Sequence, residues 1–259
     1  MQWSANSDGA AVSVNVPSRA VLFQDLRARM ISRQGFRLAT LNLDHTVKLR
    51  HSPTFLQAYL QHSHVTADGN PIVWLLRLAG QRVDLMTGSD LVVPLTGLAA
   101  ETGTQVAFFG SSEDVLDKAA TALMSAHPDL QIVARIAPPM GFDPQGPAAD
   151  GFIKELNASG AGLCLVALGA PKQELFAAYA GAKLPDMGFV SIGASLDFLA
   201  GRERRAPRLM RRFAAEWLWR LAQNPRRLAG RYGACLAILP RLFLRALRTR
   251  LSGGVGATS

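Results

Sequence analysis

Thr66-Ala67-Asp68-Gly69-Asn70-Pro71 is the stretch on which the fold turns. The residues before it, His64 to Ala67, read as a strand that ends at an acidic side chain. Gly69 lets the backbone turn, and Pro71 suits the first position of a helix. An aspartate at the carboxyl end of a strand in an α/β protein sits where such folds place their ligands. Taken alone, the stretch leaves two roles open for Asp68. One is a catalytic base; the other is a helix cap, a position that Asp, Asn and Ser prefer.

The same grammar repeats outward in both directions. Residues 21–33 predict a helix with Leu22, Leu26, Met30 and Ile31 on its apolar face, and residues 36–41 a short strand closing on Thr40-Leu41-Asn42. Helices are expected from Pro53, from Pro71, and from Thr87-Gly88-Ser89-Asp90. Residues 105–109 form a continuous apolar run before Gly110-Ser111-Ser112-Glu113. Residues 162–168 form another, before Gly169-Ala170-Pro171-Lys172-Gln173-Glu174. Residues 131–136 and 187–192 complete the strands, the last ahead of Gly193-Ala194-Ser195. Strands alternating with helices, several of them apolar throughout, imply a parallel sheet covered on both faces, an α/β Rossmann-like body.

Charge divides the chain near Gly201. The formal net charge is +9, yet residues 201–259 hold fourteen Arg against only Glu203 and Glu216. That segment is therefore +12 and the first 200 residues are −3. The expected organisation is a flexible arm over residues 1–17, a catalytic body over 18–201, and a basic amphipathic helical appendage over 202–259. Within the appendage Arg241, Arg245 and Arg248 form one stripe, with Phe243, Leu244, Leu247 and Leu251 largely opposite. Such a helix suits an anionic membrane surface. The arginine tail also leaves a nucleic-acid-binding protein open as a different class. No apolar run reaches the ~18 to 20 residues that span a bilayer. The first fifteen residues lack the basic start and apolar core of a signal peptide. Cys164 and Cys235, with no Cys-x-x-Cys partner, read as buried thiols in a reducing compartment.

Neither Gly-x-x-x-x-Gly-Lys-Ser/Thr nor Gly-x-Gly-x-x-Gly after a strand occurs, which disfavours a P-loop enzyme and a simple dinucleotide dehydrogenase. Asp-x-Asp, a common metal-holding pair of sugar-nucleotide enzymes, is missing too. His62 and His64 read as ordinary polar side chains and not as metal ligands. The turns at Asn42, Asp68, Gly110, Gly169 and Gly193 would share one sheet edge, where helix N-termini favour an anion such as a nucleotide diphosphate. Lys172 is oddly placed, because a cation in the first turn of a helix opposes the dipole.

Six motifs then fall in order. They are Thr40-Leu41-Asn42, Ala67-Asp68-Gly69, Thr87-Gly88-Ser89-Asp90-Leu91, Gly169 to Glu174, Ala200-Gly201 with Arg205-Ala206-Pro207, and Glu216-Trp217-Leu218-Trp219-Arg220 followed by Asn224-Pro225-Arg226-Arg227. In this order and spacing the chain resembles the WecG/TagA/CpsF family, glycosyltransferase family 26. The resemblance implies an inverting, metal-independent transfer without a cofactor. A hexose-type sugar, often N-acetylmannosamine, would pass from a UDP-sugar donor to an undecaprenyl-diphosphate-linked sugar acceptor. The setting would be cytoplasmic, on the inner face of the bacterial cell membrane, with no nucleic-acid partner. By the same resemblance Asp68 is the general base, and Thr40 and Asn42 orient it or the donor sugar. Gln173 contacts sugar or diphosphate, with Lys172 second for that job. Arg220, then Arg205, offsets charge on the departing UDP, and Gly110 and Gly169 line the donor site. Leu41 stands where the family has Pro, Asp44 where Glu is common, and Ala194-Ser195-Leu196-Asp197 where many members are Gly-rich. These departures bear on the identity of the donor. A non-catalytic membrane-associated partner of a polysaccharide synthesis complex is the remaining alternative.

Overall fold

The computed structural model describes residues 1–5, 9–202, 216–223 and 225–253. Its centre is a six-stranded, wholly parallel sheet. After a short antiparallel pair, β1 (Gln2–Ala5) and β2 (Ala11–Ser13), the chain runs through α1 (Arg19–Ser32), β3 (Phe36–Leu41), α2 (Leu43–His51), α3 (Pro53–Leu60), β4 (His64–Ala67) and α4 (Asn70–Leu78). It continues through α5 (Gly88–Glu101), β5 (Val106–Gly110), α6 (Glu113–Ala126), β6 (Ile132–Ile136), α7 (Pro147–Ala158) and β7 (Leu163–Ala167). Next come α8 (Lys172–Lys183), β8 (Gly188–Ser191), α9 (Ser195–Leu199), α10 (Glu216–Gln223) and α11 (Pro225–Gly253). The spatial order is β4-β3-β8-β7-β5-β6.

That order creates two crevices at the carboxyl edge. The chain leaves β3 toward β4, while β8 lies on the other side of β3; likewise β5 has β6 on one flank and β7 on the other. Ligands of open α/β sheets bind at such points. The period of two along each strand explains why the central strands are apolar throughout. Val106 and Phe108 of β5, with Leu163 and Leu165 of β7, join the core under α1, α5 and α6. Ala107, Phe109, Cys164 and Val166 join the opposite core, under α7 and α8. There Phe109 and Phe176 stack with ring centroids 4.0 Å apart.

The loose arm expected over residues 1–17 is not what forms. Met1, Trp3, Val12 and Val16 are buried, the first three of them in the core that also holds Leu49, Phe55 and Leu56. Apolar side chains in the β1–β2 pair outweigh the small, polar composition of the segment. Helix α2 was equally illegible, since residues 43–52 mix His, Lys, Arg and Asp with few apolar positions. Its start is set by Asn42, whose side chain accepts from the His45 amide.

The appendage helix α11 packs on α2 and α4. It buries Leu228, Cys235, Ile238, Leu242 and Ala246 on that side. The apolar stripe predicted opposite the arginines is a different one. Phe243, Leu244 and Leu251 are exposed together with Leu236, so α11 carries two apolar faces, of which the described residues cover one. The helix expected from Pro207, and Arg205 with it, lies outside the described residues. No helix among the described residues is long and apolar enough to cross a membrane.

Candidate active site

Backbone pairing places Asp68 first. Its amide donates to the Leu41 carbonyl at 2.8 Å, extending the β3–β4 ladder one residue past β4. Gly69 then turns the chain with φ +97°, and it is Gly69 that occupies the cap position of α4. Asp68 is therefore not the cap. Its Oδ2 instead accepts from Thr40 Oγ1 at 3.3 Å and from Asn42 Nδ2 at 3.4 Å. These two long bonds orient the carboxylate at the strand edge.

Asn42 carries two loads. The His45 amide can only donate, so the atom it meets at 3.0 Å is Asn42 Oδ1. Nδ2 is thereby turned toward Asp68. Beneath this pair lies a buried polar wedge that sequence reading missed. Tyr59 Oη donates to the Thr40 carbonyl at 3.1 Å and meets His45 Nδ1 at 2.7 Å. With the tyrosyl proton on Thr40, His45 Nδ1–H is the donor to Tyr59. Burial pushes the His45 pKa down to about 3, so the ring is neutral, and burial raises the Tyr59 hydroxyl well above its usual range. Neither residue has a spacing signal; α2 and α3 bring them together.

The turn after β7 meets the same edge. Gln173 is buried, its Oε1 accepting from the Gly193 amide at 2.9 Å and its Nε2 donating to Glu174 Oε1 at 2.7 Å. Glu174 is fully buried, and desolvation pushes its pKa up to about 7. The Lys172 amine reaches sideways to the Phe142 carbonyl at 2.8 Å, tying the turn to the loop before α7. Lys48 Nζ donates to the Ala170 carbonyl at 3.0 Å and pairs with Asp44 at 2.7 Å. Asp44 in turn pairs with Arg231 of α11 at 2.9 Å. Arg231 is thus an appendage arginine brought to this edge that the motif reading did not single out. Arg220 lies in α10, with its side chain outside the described residues.

Gly110 and Gly169 differ in kind. A Cβ on Gly110 would stand 2.5 Å from the Ala167 carbonyl oxygen, so this glycine is required by strand packing. Gly169, at φ +71°, has open space beside it. Thr87 caps α5, its Oγ1 accepting from the Asp90 amide at 3.2 Å and donating to Asp90 Oδ2 at 2.8 Å. His62 Nδ1 faces the Ala58 carbonyl and His64 Nε2 faces Asp25, so both histidines serve the fold. Cavities of about 480 and 810 Å³ exist elsewhere, and no residue of this edge lines either one.

A parallel sheet whose crevice gathers a carboxylate, a hydroxyl, two side-chain amides and the N-terminus of α8 is the frame of an α/β group-transfer enzyme. The chain belongs to the glycosyl transferase WecG/TagA/CpsF family, whose family model matches residues 9–255. It is thus a glycosyltransferase of cell-surface polysaccharide synthesis.

Proposed function

We propose that the protein moves a hexose-type sugar from a UDP-sugar to a sugar on an undecaprenyl diphosphate, with inversion and without a metal. The observation that carries this reading is the Asp68 carboxylate, one residue before the Gly69 cap of α4 and held by Thr40 and Asn42 at the mouth of a sheet crevice. Asp68 takes the proton of the acceptor hydroxyl as that oxygen bonds to the anomeric carbon. The bond from that carbon to the UDP oxygen breaks on the opposite side, and the electron pair leaves with UDP. A single in-line displacement of this kind inverts the anomeric centre. The donor diphosphate lies along the turns after β5, β7 and β8, where backbone amides and helix N-termini favour an anion. Appendage arginines supply the positive charge that a metal supplies elsewhere. Arg220 and Arg205 remain the leading candidates, and the Arg231–Asp44 pair supports the idea that α11 docks beside the edge.

Membrane association follows from the same picture. The outer apolar residues of α11 lie among Arg241, Arg248 and Arg250, a pattern suited to an anionic lipid surface that holds the acceptor. The test is UDP release from a panel of UDP-sugars, with and without a lipid-diphosphate-linked sugar, in buffer and in chelator. Acceptor-dependent release that chelator leaves unchanged supports the reading. Release that requires added divalent metal removes the metal-independent part of it.

A further inference from the structure

Glu174 is a group that the proposed chemistry leaves unused. It has no solvent exposure, Oε1 accepts from Gln173, and Oε2 has no side-chain partner among the described residues. A buried carboxylate with an idle oxygen costs stability, and an apolar side chain of similar size would avoid that cost. Its geometry indicates what it does instead. The Gly193 amide is a donor and can be met only by Gln173 Oε1, so Nε2 must be met by an acceptor on the other side. Glu174 Oε1 is that acceptor, at 2.7 Å. The Gln173 amide is thus gripped at both ends, between the helix that follows β7 and the turn that follows β8.

We propose that Glu174 is a positioning residue, which fixes the Gln173 amide and through it holds the Gly193 turn as half of a preset platform for the donor diphosphate. The platform's role rests on the sugar-nucleotide reading given above; the latch from Glu174 to Gly193 does not. Because Glu174 acts through Gln173, removing it must matter only while Gln173 is present. Because it acts through an acceptor oxygen and not through charge, glutamine must replace it.

The test measures hydrogen exchange of the Gly193 amide together with donor and acceptor KM in native protein, Glu174→Leu, Glu174→Gln, Gln173→Met and the Leu–Met double variant. Loss of one internal hydrogen bond is expected to raise Gly193 exchange about tenfold in Glu174→Leu and in Gln173→Met. Glu174→Gln should stay near native. Donor KM should rise in Glu174→Leu with acceptor KM unchanged and unfolding stability undiminished, which a merely structural residue would not give. The double variant should match Gln173→Met alone. Unchanged Gly193 exchange in Gln173→Met, additive effects in the double variant, or Glu174→Gln exchanging as fast as Glu174→Leu would each overturn the latch. If Glu174→Leu does not fold, Gln173→Met and Glu174→Gln decide by the same exchange measurement. Absence of turnover in the native protein would count against the sugar-transfer reading and leave the exchange result to decide the latch.

Discussion

Replacing Asn42 by aspartate separates the two jobs of this side chain. Asp caps a helix as well as Asn does, so the bond to the His45 amide survives. The atom facing Asp68 Oδ2, now 3.4 Å away, becomes a carboxylate oxygen in place of a donor. At an effective dielectric of about 20, two unit charges at that distance repel by about 5 kcal/mol. A pair so close takes up a proton between them, and Asp68 loses the lone pair it uses as a base. Acceptor-dependent UDP release at neutral pH should therefore fall at least about a hundredfold, the scale of a lost general base. The shared proton raises proton affinity in the folded state, so stability of Asn42→Asp should drop as pH rises and activity should recover. Asn42→Ala behaves differently. It loses the cap, about 1 kcal/mol of stability, and one donor to Asp68. Its turnover should fall about tenfold at all pH values. Urea unfolding and initial rates across pH, measured on both variants, check the pattern. Native-like turnover of Asn42→Asp at neutral pH would refute the reasoning, as would activity that merely tracked the folded fraction.

Four further outcomes follow. His45 and His62 have folded pKa values of about 3 and 4 against 6.5 unfolded, so the unfolded chain binds more protons between those values. Stability should thus fall as pH drops below 6.5, by up to about 1.4 kcal/mol per pH unit for each ring. Glu174 has the opposite sign, its pKa raised from 4.5 to about 7, so stability is lost as pH rises through that window. Glu174→Gln should gain on the native protein in urea unfolding between pH 5 and pH 8. Gly110→Ala combines φ +115° with a Cβ 2.5 Å from the Ala167 oxygen and should cost more than about 2 kcal/mol in thermal unfolding. Gly169→Ala, with open space, should cost about 1 kcal/mol. Leu242→Ala, on the covered face of α11, should lose about 2 to 5 kcal/mol of local stability and speed tryptic cleavage of the helix. Leu244→Ala, on the exposed face, should leave cleavage unchanged and weaken cosedimentation with anionic vesicles.

The α/β sheet was legible because buried parallel strands are apolar on both faces, and β5 and β7 print that pattern directly. Asp68 and Asn42 were legible because strand ends of such a sheet gather at one edge, and Thr40 was legible through the family motif. What the sequence hid was coupling across distance. Tyr59 and His45 meet under Thr40 only because α2 and α3 fold back on each other, and Arg231 reaches Asp44 from nearly 190 positions further along the chain. The β1–β2 pair was hidden for a related reason, since Trp3 and Val12 find their core among residues of α2, α3 and α11. Gln173 was singled out as a substrate contact, yet its amide spans Gly193 and Glu174, an arrangement that no linear spacing announces.

The central claim is that Asp68 is the base, and its most direct test is acceptor-dependent UDP release by native protein and by Asp68→Asn, each shown to be folded. Asparagine keeps the size and the neighbours but cannot take the proton. The native protein should release UDP and the variant should lose at least about a hundredfold, with unfolding stability retained. Equal release by both proteins would contradict it.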